Sequence, residues 1–134
     1  MLLIFLFFYF SSIVIVMKDH DISFLELVQK SLESVPEYDI HQVKSKIENK
    51  ENFYLVDVRE DSEWIEGNIP NSIHIGKGVI ERDITQLIPD KGAEIVLYCQ
   101  GGFRSALAGE SIQKMGYTNV FSMSGGYSDW INNN

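Results

Sequence analysis

The chain has 134 residues, 45% of them hydrophobic and 22% charged, with a net charge of −8 at pH 7. That is enough for one globular domain with a single core plus a short appendage. The acidic balance argues against a nucleic-acid partner, because most of the surface would repel a phosphate backbone. Three scattered histidines and one cysteine give no zinc or iron–sulfur spacing, so no metal or cofactor is implied. A single cysteine excludes an internal disulfide and carries no mark of compartment.

Residues 1–17 form an apolar segment without charge, and polarity begins abruptly at Lys18-Asp19-His20-Asp21. A bilayer span needs roughly 17–25 apolar residues, so the segment is just long enough. Three readings are open: a membrane anchor, a mistaken extension upstream of a true start at Met17, and a cleaved signal. The last has against it the lack of a basic n-region and of a small-residue cleavage site. As an anchor, the segment would leave the domain cytoplasmic, because Lys18 and Lys30 lie near its C-terminal end. With a start at Met17 the protein would be an ordinary cytoplasmic one.

Further along, Ile22, Leu25, Val28, Leu32 and Val35 recur at three and four residues, which predicts a flanking amphipathic helix within 18–36 that stops before Pro36. Tyr38-Asp39-Ile40 reads as a short strand and 41–49 as a helix, with Val43 and Ile47 on one face. A central strand follows at 53–58, a helical turn at 62–66, a strand at 72–75 and a helix at 78–87, closed by Pro89-Asp90-Lys91-Gly92. Ile95-Val96-Leu97-Tyr98 reads as a buried strand and 106–115 as the helix after it. A last strand at 120–123 and a closing helix at 125–131 complete the pattern. Strands separated by helices imply an α/β fold, a parallel sheet with helices on both faces. Ligands in such sheets bind at the carboxyl ends of the strands, where Asp57, Arg59 and Cys99 emerge.

The chemistry concentrates at Cys99-Gln100-Gly101-Gly102-Phe103-Arg104-Ser105. This loop joins the end of a strand to the start of a helix, where unpaired N–H groups and the helix dipole favour negative charge. Gly101 and Gly102 let the backbone curl so that successive amides point inward. A thiol placed there, with Arg104 close in sequence, is favoured as the thiolate. A lone cysteine is commonly a small core residue. Two glycines and an arginine in the same short loop point instead to a nucleophile.

A strand ending in Cys, four further residues, then Arg-Ser and a helix resembles the active-site loop of the rhodanese-like sulfurtransferases. Leu55-Val56-Asp57-Val58-Arg59-Glu60 is similar to that family's strand ending in Asp-x-Arg, and 63–75 resembles its E-x(3)-G-H-I-P-G-(A/S)-x-H-I segment. Met115 to Val120, followed by Gly125-Gly126 and Trp130, resembles its closing strand and Gly-Gly-x(3)-Trp turn. The likeness runs from about Tyr38 to Ile131. It departs at Asn68, where the family commonly has His, at Asn71, where it has Gly, and in the short end after Trp130. The resemblance implies a rhodanese-like domain over 37–134 and a sulfurtransferase. In such an enzyme a Cys99 persulfide carries sulfur from a small-molecule donor, thiosulfate or a persulfide, to a thiol or to cyanide.

The backbone of Gln100, Gly101, Gly102, Phe103 and Arg104 is then the anion-binding loop, with Gln100 and Phe103 at the entrance. Asp57, Arg59 and Ser105 are supporting residues, the first two at the family's structural salt bridge. His74 reads as structural, within an alternating Ile73-His74-Ile75 strand. Two other readings stand beside this one. A phosphatase or arsenate reductase uses a related Cys-to-Arg loop, but with five intervening residues against four here. A regulatory or redox-sensing module would keep the fold without turnover. The oligomeric state is left open.

Overall fold

A computed structural model of the chain describes residues 20–133. The order of elements is α1 (Ile22–Leu32), β1 (Glu37–Tyr38), α2 (Ile40–Glu48), β2 (Tyr54–Asp57), α3 (Asp61–Glu66), β3 (Ile73–His74), a 3-10 turn (Lys77–Val79) running into α4 (Ile80–Leu87), β4 (Ile95–Tyr98), α5 (Phe103–Lys114), β5 (Val120–Met123) and α6 (Gly126–Asn132). The apolar segment at residues 1–17, with its three readings, lies outside the described residues. Among those described, no helix is long and apolar enough to cross a membrane.

All five strands run parallel, in the order β1-β5-β4-β2-β3. The central strand β4 is Ile-Val-Leu-Tyr with every residue buried, the continuous apolar run expected of a strand covered on both faces. Alternation along the strands divides the core in two. Val56, Val58, Ile95, Leu97 and Cys99 face α4 and α5, where Ile80, Ile84, Ala108 and Ile112 meet them. Leu55, Val96 and Tyr98 face the other way, toward Val43 of α2 and Tyr127 and Trp130 of α6. The fold is thus the α/β arrangement anticipated from the alternating pattern.

Several boundaries shift from the sequence pattern by a few residues, and two of the differences have a clear local reason. The strand anticipated at 38–40 ends at Tyr38 because Asp39 caps α2. Its carboxylate accepts the Gln42 N–H at 2.9 Å, and the Gln42 side chain accepts the Asp39 N–H at 2.8 Å. The helix anticipated from residue 106 begins three residues earlier, at Phe103. Gly102 takes the left-handed conformation, φ +100°, so the chain turns there and is helical at once. Asn71 also has a positive φ, +67°, a conformation that Asn tolerates better than other side chains.

Helix α1 starts at Asp21, whose carboxylate accepts the Ser23 N–H at 2.8 Å. Its buried Val28, with Val35 just beyond its end, ties the segment to the domain. The contact with α5 is close: a Cβ at Gly109 would lie 2.9 Å and 3.2 Å from the two methyls of Val35. Val35 is fully buried and stiff about χ1, so it has no room to swing aside. Gly109→Ala therefore sets a helix-propensity gain of about 1 kcal/mol against an overpacking cost of about 1–3 kcal/mol. The expected outcome is a lower urea midpoint with an unchanged slope. A raised midpoint would show that α1 and α5 are not packed this tightly.

Candidate active site

Cys99 follows β4 directly, and its side chain is buried on the face toward α4 and α5. Two backbone N–H groups donate to its sulfur: Gly102 at 3.2 Å and Ser105 at 3.4 Å. The Ser105 hydroxyl lies 3.5 Å from the same sulfur and 2.7 Å from the hydroxyl of Ser122 on β5. Starting α5 at Phe103 makes this possible, because Ser105 then sits in the first turn, where N–H groups have no intrahelical acceptor. Ser105, read from sequence as a support, thus touches the sulfur itself. Ser122 is silent in the sequence, since an isolated serine in an apolar strand gives no sign that it faces a residue seventeen positions earlier.

The loop is clamped from behind. The carbonyls of Cys99 and Gln100 accept the N–H groups of Tyr127 and Ser128, at 2.8 Å and 3.1 Å, from the start of α6. A Cβ at Gly126 would come within 2.4 Å of the Cys99 carbonyl oxygen and 2.6 Å of the Gln100 carbonyl, and its φ is +57°. The Gly125-Gly126 pair is therefore the surface on which the Cys99 loop rests.

Arg104 lies in the first turn of α5, and both ends of its guanidinium are held by Glu63 of α3, Nη1 to Oε1 at 2.7 Å and Nη2 to Oε2 at 2.9 Å. Glu63 also accepts the N–H of Glu60 at 3.1 Å, closing a capping box on α3. The Arg104 guanidinium holds the Glu63 carboxyl below the usual carboxylate range, with burial opposing and the Glu60 N–H assisting. The charge expected to help the thiolate is thus largely balanced by a carboxylate that the sequence pattern did not single out. Only the segment's likeness at 63–75 touched it.

Asp57 and Arg59 lie on the opposite face of the sheet from Cys99, as strand alternation requires. Both are buried, and Arg59 donates to Asp57 from Nε at 3.1 Å, from Nη2 at 2.8 Å and from its backbone N–H at 2.9 Å. Its guanidinium stacks over the Tyr127 ring at 4.2 Å, donates to the Gly67 carbonyl at 2.7 Å and reaches the Gln100 side chain at 3.4 Å. The pair therefore meets the Cys99 loop through Gln100 and Tyr127. His74 packs flat on Trp64 at 4.9 Å between ring centroids, with Nε2 2.9 Å from the Arg59 carbonyl.

Above the sulfur is a cleft of about 410 Å³ whose lining includes Cys99, Gln100, Gly101, Phe103, Arg104 and Glu63. A larger cleft of about 630 Å³ lies beside α4, around His74, Arg82 and Asp83. It has no cysteine in its lining, and Arg82 is paired with Asp83 at 2.7 Å, so the smaller cleft, with the Cys99 sulfur, is the candidate site.

The Rhodanese-like domain model matches residues 39–133. The chain belongs to the rhodanese-like family. Among relatives, "Putative sulfurtransferase YtwF" of Bacillus subtilis is 40% identical over 88 residues, covering 66% of this chain and 82% of YtwF. "Putative sulfur carrier protein YrkF" of the same organism is 32% identical over 97 residues, covering 72% of this chain but 51% of YrkF, so the chain spans about half of that relative's length. Among solved structures, a Rhodopseudomonas palustris protein described as "Possible Tyrosine Phosphatase" aligns with a TM-score of 0.72 at 25% identity, over 81% of this chain and 89% of that one. The rhodanese-like match thus takes in Asp57, Arg59, Glu63 and the whole Cys99 loop, and leaves α1 outside.

The Glu63–Arg104 pair gives a pH-dependent prediction. Because the folded-state carboxyl titrates below its ordinary 4.5, its contribution is present above that value and is lost as pH falls through the lower folded value. Glu63→Gln should be less stable than the parent at pH 7 by about 1–3 kcal/mol. The gap should narrow in urea titrations below about pH 4. A gap of the same size at pH 3 and pH 7 would contradict the pairing.

Proposed function

We propose that this protein is a sulfurtransferase that takes a sulfane sulfur from a thiosulfate- or persulfide-class donor onto Cys99 and passes it to a thiol, with cyanide as the laboratory acceptor. The observation that carries this reading is one buried cysteine sulfur receiving two backbone N–H donors, from Gly102 and Ser105. In the first step the Cys99 thiolate attacks the terminal sulfur of thiosulfate. The donor's S–S bond breaks, sulfite leaves with the electron pair, and a persulfide anion remains on the enzyme. In the second step an acceptor thiolate attacks that outer sulfur, takes it as its own persulfide and releases the Cys99 thiolate. Charge is conserved in each step and no oxidant is consumed.

The loop amides supply preorganised stabilisation to the anionic sulfur, as an oxyanion hole does for oxygen. Ser105 adds a hydroxyl that Ser122 holds in place. The roles of Asp57 and Arg59 are those of a brace, acting on the loop through Gln100 and Tyr127. Sulfur transfer is favoured over phosphoryl chemistry by two features. Four residues separate Cys99 from Arg104, which makes a tighter ring than a tetrahedral phosphate needs. The Arg104 guanidinium is engaged at Nη1 and Nη2 by the Glu63 carboxylate, which occupies its end-on fork and offsets the charge a phosphate would need. A module without turnover would have no use for this arrangement of donors around an intact thiol.

The test is a thiosulfate-to-cyanide assay together with intact-mass measurement. The protein should gain one sulfur after thiosulfate and lose it after cyanide. Cys99→Ser should show neither change, with thiocyanate formation down at least about a hundredfold. Hydrolysis of an aryl phosphate faster than sulfur transfer would overturn the assignment, and an unmodified mass after thiosulfate and persulfide donors alike would favour the module without turnover.

A further inference from the structure

The family match begins at residue 39, yet one wall of the cleft over Cys99 is built from residues upstream of it. His20 and Phe24 line that cleft with Phe103. Their rings cluster: His20 to Phe24 at 5.4 Å, His20 to Phe103 at 5.1 Å edge-on, and Phe24 to Phe103 at 6.3 Å edge-on. The Asp21 cap and the packing of α1 on α5 through Val28 and Val35 hold them there. On the facing side Arg104 is the one Lys or Arg among the described lining residues, and Glu63 balances it.

The mouth is therefore aromatic on one side and balanced in charge on the other, in a chain of net charge −8. Thiosulfate, a dianion without apolar surface, gains nothing from the Phe24 and Phe103 rings and meets no unpaired Lys or Arg. A donor with an aromatic or alkyl body and a single negative charge gains ring contact and is repelled less. We infer that His20 and Phe24 are specificity-determining residues that select sulfur donors carrying an apolar body over inorganic thiosulfate. The inference rests on the sulfurtransferase reading and names the substrate class of the same site.

Two thiosulfonates separate the body of the donor from its chemistry. Benzenethiosulfonate and methanethiosulfonate each carry one negative charge. Each gives its terminal sulfur to a thiolate as the S–S bond breaks and a sulfinate leaves with the electron pair. In the full-length protein, kcat/KM for the benzene compound should exceed that for the methane compound by roughly five- to tenfold, after division by their rates with a free thiolate. In the full-length His20→Ala/Phe24→Ala variant the ratio should fall toward one. Phe24→Leu, which keeps apolar packing and removes the ring, should lower the ratio in a protein whose melting is unchanged. A ratio near one in the parent, or a ratio the variants do not move, overturns the inference while leaving sulfur transfer in place.

A binding arm tells the two failures apart. In Cys99→Ser, benzenesulfinate measured by calorimetry should bind roughly fivefold more weakly once His20 and Phe24 are replaced. That loss, found together with a parent protein that takes no sulfur from any donor, would sink the sulfurtransferase reading and keep the aromatic wall. Equal binding would remove the wall whatever the turnover.

Discussion

The sulfur of Cys99 lies within reach of backbone N–H groups three and six residues further along the chain, and this geometry organises the half of the molecule around it. It requires the chain to leave β4, reverse within a few residues and enter α5 without an intervening coil. Gly102 makes the reversal in the left-handed conformation. The glycines at 125 and 126 let the last helix approach the loop from behind closely enough for its N–H groups to take up the Cys99 and Gln100 carbonyls. With the carbonyls bonded outward, the loop's N–H groups are free to face the sulfur. Both ends of the peptide dipoles are thus used, one to anchor the loop and one to stabilise charge.

Two ion pairs support this loop from different sides, and they differ in character. Asp57–Arg59 is buried on the far face of the sheet, where desolvation is costly and is offset only because nearly every polar atom finds a partner: the Asp57 carboxylate, the Gly67 carbonyl, the Gln100 amide and the face of Tyr127. Glu63–Arg104 is partly exposed and lies at the mouth of the cleft. It fixes the first turn of α5 against α3 and leaves the entrance with little net charge. The first pair meets the loop from behind, through Gln100 and Tyr127; the second stands at its mouth.

Much of this was legible in the chain. β4 and β5 appear at the residues their apolar runs indicated, because a strand buried on both faces has few other ways to use such a run. The Cys99 loop with its glycines and the Asp57-x-Arg59 strand end are readable because each is a local pattern. Asp39 misled because a capping residue inside an apolar stretch looks like a strand position until Gln42 is seen to complete the box. Glu63, Ser122, His20 and Phe24 were harder to find, since their roles depend on partners 41, 17, 83 and 79 positions away in the chain, measured to Arg104, Ser105 and Phe103. Such pairings exist only once the sheet is assembled, and no periodicity encodes them.

The central claim is that the loop's N–H groups hold an anionic sulfur, and amide proton shifts report it directly. In nitrogen-15-labelled protein, the Gly102 and Ser105 resonances should move on loading with thiosulfate, further than amides outside the 99–105 loop, and return when cyanide removes the sulfur. If the protein gains its sulfur while those two amides stay where they were, the charge is held elsewhere and the account is wrong.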